Sequence, residues 1–296
     1  MTAEAIQRLT DYFGTGSSRQ AYLARQALGQ PLPGDPRLAG RLRQELVAGV
    51  RADGTVSGGA VPTIWRVHEL LDLGLPEDSS AMTRALAWML DLQDRPGAFH
   101  YGCDRIRHAR RLCQHYIAGF FAPAPPTERL APVTLPIGKV YRVEVAARFA
   151  ISCLALRAAL RAGYQDRPAI RRHLQSLAQI SEQWTEWNAY FAPDVIVTGL
   201  HALAAGGRDY RQPVRRLVDL VTANQGVDGD WPTADLFQVL DALRAADTPE
   251  AQVTVRRATT ALVERQRADG TFGVRTQQER ALSGLLALLW AARAPA

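Results

Sequence analysis

Lysine is almost missing from this chain: Lys139 is the only one among 35 basic Lys and Arg residues. The formal charge of +6 is therefore carried by arginine. No dense basic block interleaved with aromatics accompanies it, which excludes the usual footprint of a nucleic-acid binder. Cysteine is scarce and odd in number, with only Cys103, Cys113 and Cys153. That excludes a disulfide framework and fits a reducing compartment. No uncharged apolar run reaches the ~18 residues of a spanning helix. The N-terminal Met-Thr-Ala-Glu-Ala-Ile-Gln-Arg lacks the apolar core of a signal peptide. The expectation is a cytoplasmic, soluble protein that touches membranes only from outside. Strand-like alternation is absent too, and apolar spacing of period 3.6 runs throughout, so the class expected is all-α.

What the chain does have is a repeat. Gln225-Gly-Val-Asp-Gly229-Asp-Trp231 reads as a helix end, a tight glycine turn carrying an aromatic, and the approach to a second helix. Gln93-Asp-Arg-Pro-Gly97-Ala-Phe99 and Gln266-Arg-Ala-Asp-Gly270-Thr-Phe272 are further copies, and Val50-Arg-Ala-Asp-Gly54-Thr-Val56 a weaker one. Gly54 and Gly97 lie 43 residues apart, Gly229 and Gly270 41, and Gly97 and Gly229 132, or three steps of 44. Degenerate copies are expected near Gly138 and in Gln183-Trp-Thr-Glu-Trp187. The spacing predicts about six two-helix units. One amphipathic pair cannot bury its inner face alone, so pairs stack, and six can close into an α/α toroid. A ring of inner helices leaves a central hollow suited to a ligand. An unbroken repeat makes residues 1–296 a single domain, with 1–35 as an N-terminal helical cap and 36–296 as the repeats.

The second full unit, from Ser79 or Ser80, is expected to depart from this pattern. His100 to Arg111 is an insertion before a helix from Leu112 to Phe121, and the proline-rich stretch 122–138 has lost its outer helix. That stretch could be a lid, an opening or a partner surface. A helix from Tyr141 to Ala162 follows.

Gln-x-x-x-Gly-x-Trp/Phe turns at these intervals resemble the QW repeats of squalene and oxidosqualene cyclases, and the related turns of protein prenyltransferase β subunits. The resemblance covers about residues 38–292 and implies a toroid whose apolar cavity holds an isoprenoid chain. Such cyclases protonate an alkene or epoxide with an acid from an Asp-x-Asp-Asp-Thr motif, of which this chain has no copy. The nearest positions, and so the candidate catalytic acids, are Asp194 and Asp235; each fits a helix N-cap better than an acid, Asp235 above all. Trp231 reads as a structural staple, and Asp241, mid-helix, as a hydrogen-bonding group across the ring.

Protein prenyltransferases hold zinc through Asp-x-Cys and a distant histidine. Here Cys113-x-His115, with Cys103 and Asp104 nearby, is the candidate metal site, although the Asp-x-Cys aspartate is missing; a core cysteine and a hydrogen-bonded cavity histidine are the other reading. Zinc stays open as a cofactor. Arg105, Arg107, Arg110 and Arg111 in the same insertion could hold a diphosphate at a helix start, or form a solvated face. Candidate cavity residues are Trp65 and His68, which share a helical face, with Tyr116, Phe120, His201 and Phe237. The resemblance implies an isoprenoid-binding, cyclase-like or prenyltransferase-like enzyme. The alternative is a non-catalytic toroid binding a lipid or a protein partner, and peripheral membrane contact stays open.

Overall fold

The computed structural model describes residues 1–93, 99–101, 117–125, 127–188 and 193–293. Twelve α-helices run through the described residues: α1 (Thr2–Phe13), α2 (Arg19–Leu28), α3 (Asp35–Ala48), α4 (Ala60–Asp72), α5 (Ser80–Asp91) and α6 (Glu144–Arg161), then α7 (Pro168–Ser181), α8 (Asp194–Ala204), α9 (Arg211–Ala223), α10 (Leu236–Ala246), α11 (Pro249–Glu264) and α12 (Gln277–Ala292). Four short strands form two antiparallel pairs: β1 (His100–Tyr101) with β2 (Ile117–Ala118), and β3 (Val133–Thr134) with β4 (Val140–Tyr141). The fold is all-α, an α/α toroid.

Helix ends follow local chemistry. Ser18, Ser79, Asp235 and Thr248 each accept a hydrogen bond from the amide three residues on, closing the starts of α2, α5, α10 and α11. Odd-numbered helices lie outside and even-numbered ones inside. The composition of each explains why. α9 buries only the stripe Val214, Leu217, Val218 and Val221, whereas α10 buries neighbours on nearly every side, from Leu236 to Leu243. α6 is the most enclosed, with Val145 to Leu156 buried without interruption.

The inner helices neighbour one another in the order α4, α6, α8, α10, α12, α2. The last step, from α2 back to α4, is made by charge: Arg19 on α2 meets Glu69 at 3.7 Å and Asp72 at 2.5 Å on α4, and also Glu279 on α12. The helices of 1–35, expected as a cap, thus form a hairpin between the last and first of the others. Turn geometry says the same. Gln225 Nε2 donates to the Gly229 carbonyl at 2.9 Å and to Thr254 on α11 at 3.0 Å. Gln266 Nε2 donates to Gly270 at 3.2 Å and to Ala5 on α1 at 3.0 Å. A methyl group on Gly229 would overlap the Arg257 carbonyl, and one on Gly270 the Arg8 carbonyl, so α1 stands to the last turn as α11 stands to the one before. Both glycines also have φ near +85°, a conformation costly for any other residue.

The third hairpin departs from the sequence expectation. The described end of the predicted 112–121 helix is not helical: Ile117–Ala118 is a strand, and Phe121 bridges Gln93. Gly119 lies so close to Ser152 that no side chain would fit. Ser152 Oγ accepts from the Phe121 amide at 3.2 Å and donates to its carbonyl at 2.8 Å, satisfying the backbone that a helix would have satisfied internally. Phe121 also meets Trp88 of α5, ring centroids 5.8 Å apart. So the segment is wedged between α5 and α6, which belong to one opened hairpin rather than to two units. The proline-rich stretch is tied to α6. Arg148 donates to the carbonyls of Ala124, Pro125 and Glu128 at 2.6–2.9 Å, and Glu144 accepts from Leu130 and Ala131 at 2.9 and 2.8 Å. Its β3–β4 turn reaches the middle of the ring.

Candidate functional site

A cavity of about 370 Å³ occupies the hub. One wall is apolar: Leu135, Pro136 and Ile137 from the β3–β4 turn, Leu154 from α6, and Leu282 and Leu286 from α12. Much of the remaining lining is charged. Four arginines (Arg19, Arg157, Arg161, Arg244) and three carboxylates (Asp72, Asp241, Glu279) reach it, with His201, Gln238 and Ser283 between them. Every inner helix contributes at least one of these residues, so the site exists only once the ring is closed.

The charges are arranged in two groups. Around α2, α4 and α12, Arg19 is ringed by Glu69, Asp72 and Glu279, and Arg161 reaches the other oxygen of Asp72 at 2.7 Å. Across the cavity, Asp241 accepts from Ser283 Oγ at 2.7 Å and meets Arg244 at 3.3 Å. Burial pushes the Asp241 carboxyl above the ordinary aspartate value, and Arg244, Ser283 and Arg157 only partly oppose it. Burial also raises Glu69 and Glu279. Asp241 thus bonds across to the next hairpin.

The residues expected to form a site are placed as follows. Trp65 lines the cavity beneath the Arg19 guanidinium, 5.5 Å from its ring centroid, and its ring lies 5.3 Å from that of His68. His68 is fully buried; its Nδ1 lies 2.9 Å from Arg161 Nη1 and its Nε2 3.2 Å from the Leu154 carbonyl. Because arginine can only donate, Nδ1 accepts and the proton sits on Nε2. His201 lines the cavity. Phe237 packs against Phe272, centroids 5.1 Å apart, with Arg280 over its other side at 4.9 Å. Phe120 is buried against His173. Asp235 caps α10 and pairs with Arg280 at 2.7 Å; Asp194 opens α8 and pairs with Lys139 at 2.7 Å. Arg107, Arg110, Arg111 and Tyr116, with Cys103, Cys113 and His115, lie outside the described residues. Among the described residues no cluster of three His, Cys, Asp or Glu could hold a metal, and no helix is long and apolar enough to cross a membrane.

Sequence reasoning did not single out Arg157 or Arg161. The signal was available: Cys153, Arg157 and Arg161 recur every fourth residue through the apolar run of α6, and all three line the cavity. Charges on one stripe of an otherwise apolar helix need a polar hollow to face.

Both cavity histidines respond to acid. Burial, and then Arg157, hold His68 and His201 well below the ordinary value of 6.5. The unfolded chain therefore takes up protons first as pH falls. Their contribution is fully present above that value and lost as pH drops through it, at up to about 1.4 kcal/mol per pH unit for each ring. Asp241, raised by burial, acts in the opposite sense at the lower end of the range. Urea unfolding at pH 7, 6 and 5 is expected to show declining stability, with a shallower decline in His201→Gln. A flat profile for the parent chain contradicts the neutral buried pair.

No family model matches the chain, and no curated protein sequence matches it either. Among solved structures it is similar to the type II terpene cyclase MstE from Scytonema in its apo form, with 14% identity, TM-score 0.56 and 98% of each chain covered. A variant of that enzyme in complex with geranylgeranyl dihydroxybenzoate, its substrate, superposes with TM-score 0.55 at 14% identity, covering 98% of this chain and 97% of that one. At such identity the likeness is one of fold, carried along the whole chain.

Proposed function

We propose that this protein is a terpenoid-cyclase-like enzyme that takes an isoprenoid chain into the hub cavity and cyclises it by protonation. The observation that carries the reading is Asp241: a carboxyl pushed toward its protonated form by burial, held by Ser283, and facing a leucine–proline–isoleucine wall. An apolar chain laid on that wall would bring an alkene to the acid. The Asp241 proton would pass to the alkene, the resulting cation would be attacked by the next double bond, and a proton lost from the product would restore the balance. Asp194 and Asp235 are less suited, since each holds a closer ion pair, to Lys139 and Arg280. The similar solved structure in complex with geranylgeranyl dihydroxybenzoate supports an isoprenoid over other apolar ligands.

One observation favours binding without conversion. Among the described residues lining the cavity, Trp65 is the single aromatic, whereas a carbocation is stabilised by several π faces. Both readings meet in one experiment. Polyprenyl probes are incubated with the protein, bound ligand is counted by native mass spectrometry, and products are separated from isomers of equal mass. The parent chain is expected to convert a probe, and Asp241→Asn to bind it but convert it at least about 100-fold more slowly. Binding with no conversion by the parent leaves the binding reading alone standing. Conversion unaffected by Asp241→Asn, but abolished by Asp235→Asn or Asp194→Asn, moves the acid there.

A further inference from the structure

The arginines of the cavity are not all paired. Arg19, Arg161 and Arg244 each have a carboxylate within 4 Å, at Glu69, Asp72, Glu279 or Asp241. Arg157 does not. It lies mid-helix on α6, one turn from Cys153 and one from Arg161, and among the described residues it forms no hydrogen bond and no ion pair. Its side chain lines the hub cavity. An enclosed cation without a counter-ion is one of the least favourable arrangements a protein can hold. Burial, only partly offset by the more distant Asp241, brings its guanidinium down to about 10. A group kept at that cost is a site for something the folded chain does not itself supply.

We propose that the hub cavity binds a ligand bearing a carboxylate, whose single negative charge docks on Arg157 between Arg161 and Arg244 while the apolar part lies on the Leu135–Ile137 wall. The inference rests on reading the hub as the ligand site and specifies the ligand's polar end. Charge decides the class. Of the four arginines lining the cavity, only Arg157 has no ion pair among the described residues, which leaves one cation to balance. A carboxylate balances it, and the planar guanidinium matches its two oxygens. A diphosphate would overshoot, leaving its further charges in a cavity that also holds Asp72 and Glu279.

The experiment compares three C20 polyprenyl compounds of identical chain, namely the acid, the alcohol and the diphosphate, together with benzoate as a chainless carboxylate. Binding is read by calorimetry and by thermal shift. The acid is expected to bind about 10–100-fold more tightly than the alcohol, the scale of a hydrogen-bonded charge pair. Arg157→Met is expected to erase that difference, and Arg157→Lys to keep part of it. Arg157→Met is also expected to melt higher than the parent, because a cation without a counter-ion has been removed from the cavity. Equal affinity for acid and alcohol, or an acid preference that survives Arg157→Met, overturns the proposal. So does a diphosphate that binds more tightly than the acid. If no polyprenyl compound binds but benzoate does, and Arg157→Met abolishes it, the isoprenoid reading falls and the carboxylate subsite stands. If benzoate fails as well, the subsite falls with it.

Discussion

Replacing Trp231 by alanine is expected to lower the free energy of unfolding by about 3–5 kcal/mol, the usual range for emptying a fully buried tryptophan site. The indole has no exposure, and its Nε1 donates to the Val221 carbonyl at 2.8 Å, near the helix end, where the Asn224 amide reaches the same carbonyl at 3.3 Å. Its loss therefore opens a cavity and removes the shorter of the two hydrogen bonds to that carbonyl. That point joins α9 to α10, and beside it Asp230 pairs with Arg265 at the end of α11. Trp231→Phe keeps most of the volume and loses the hydrogen bond, with an expected cost of about 1 kcal/mol beyond the lost area. Urea titration followed by circular dichroism decides it. A loss below about 1 kcal/mol for the alanine variant would mean that the turn aromatic does not hold its hairpins together.

Arg25→Ala is expected to cost a similar amount, about 3–5 kcal/mol, because it leaves a buried charge unanswered. Arg25 and Asp35 are 3% and 2% exposed, so water cannot take over for the missing partner. The guanidinium donates to Asp35 at 2.5 and 3.1 Å, and to the carbonyls of Phe13 and Gly16, both at 2.9 Å. It thus joins the end of α1, the α1–α2 turn and the start of α3, where the first hairpin meets the next. The Arg25 hydrogen bonds hold the Asp35 carboxyl below its ordinary value, so that contribution is present above pH 3.8 and is lost as pH falls through the folded value. The double variant Arg25→Met with Asp35→Leu is expected to be more stable than Arg25→Ala, since it removes both charges together. Hydrogen exchange in Arg25→Ala should speed first in α1 and α2. Unchanged exchange there, with a small loss of stability, would show that the first hairpin is held by its apolar contacts alone.

Much of the architecture was legible in the chain. Gly229 and Trp231, and their counterparts Gly270 and Phe272, form tight turns with a buried aromatic, as their spacing suggested; that Gln225 and Gln266 tie each turn to the next outer helix needed the tertiary structure. Asp235 is a cap, as an aspartate at a helix start commonly is. The third hairpin was misread because Phe120, Phe121 and their neighbours are apolar enough for a helix. Only Ser152, 31 residues along from Phe121, lets that backbone lie open against α6. Trp184 shows the same limit, because its ring fills the space left by Gly199 on α8, which local spacing cannot reveal.

By itself the sequence determined that the chain is helical, that its helices come in pairs, and that the pairs turn on glycine. Those properties depend on residues within a few positions of one another, where periodicity and backbone freedom act. Tertiary structure alone decided that α1 and α2 complete the ring, and that four arginines and three carboxylates meet at its centre. Those residues lie on helices scattered from Arg19 to Ser283, and charges so far apart along the chain influence one another only after closure has brought them together and excluded water.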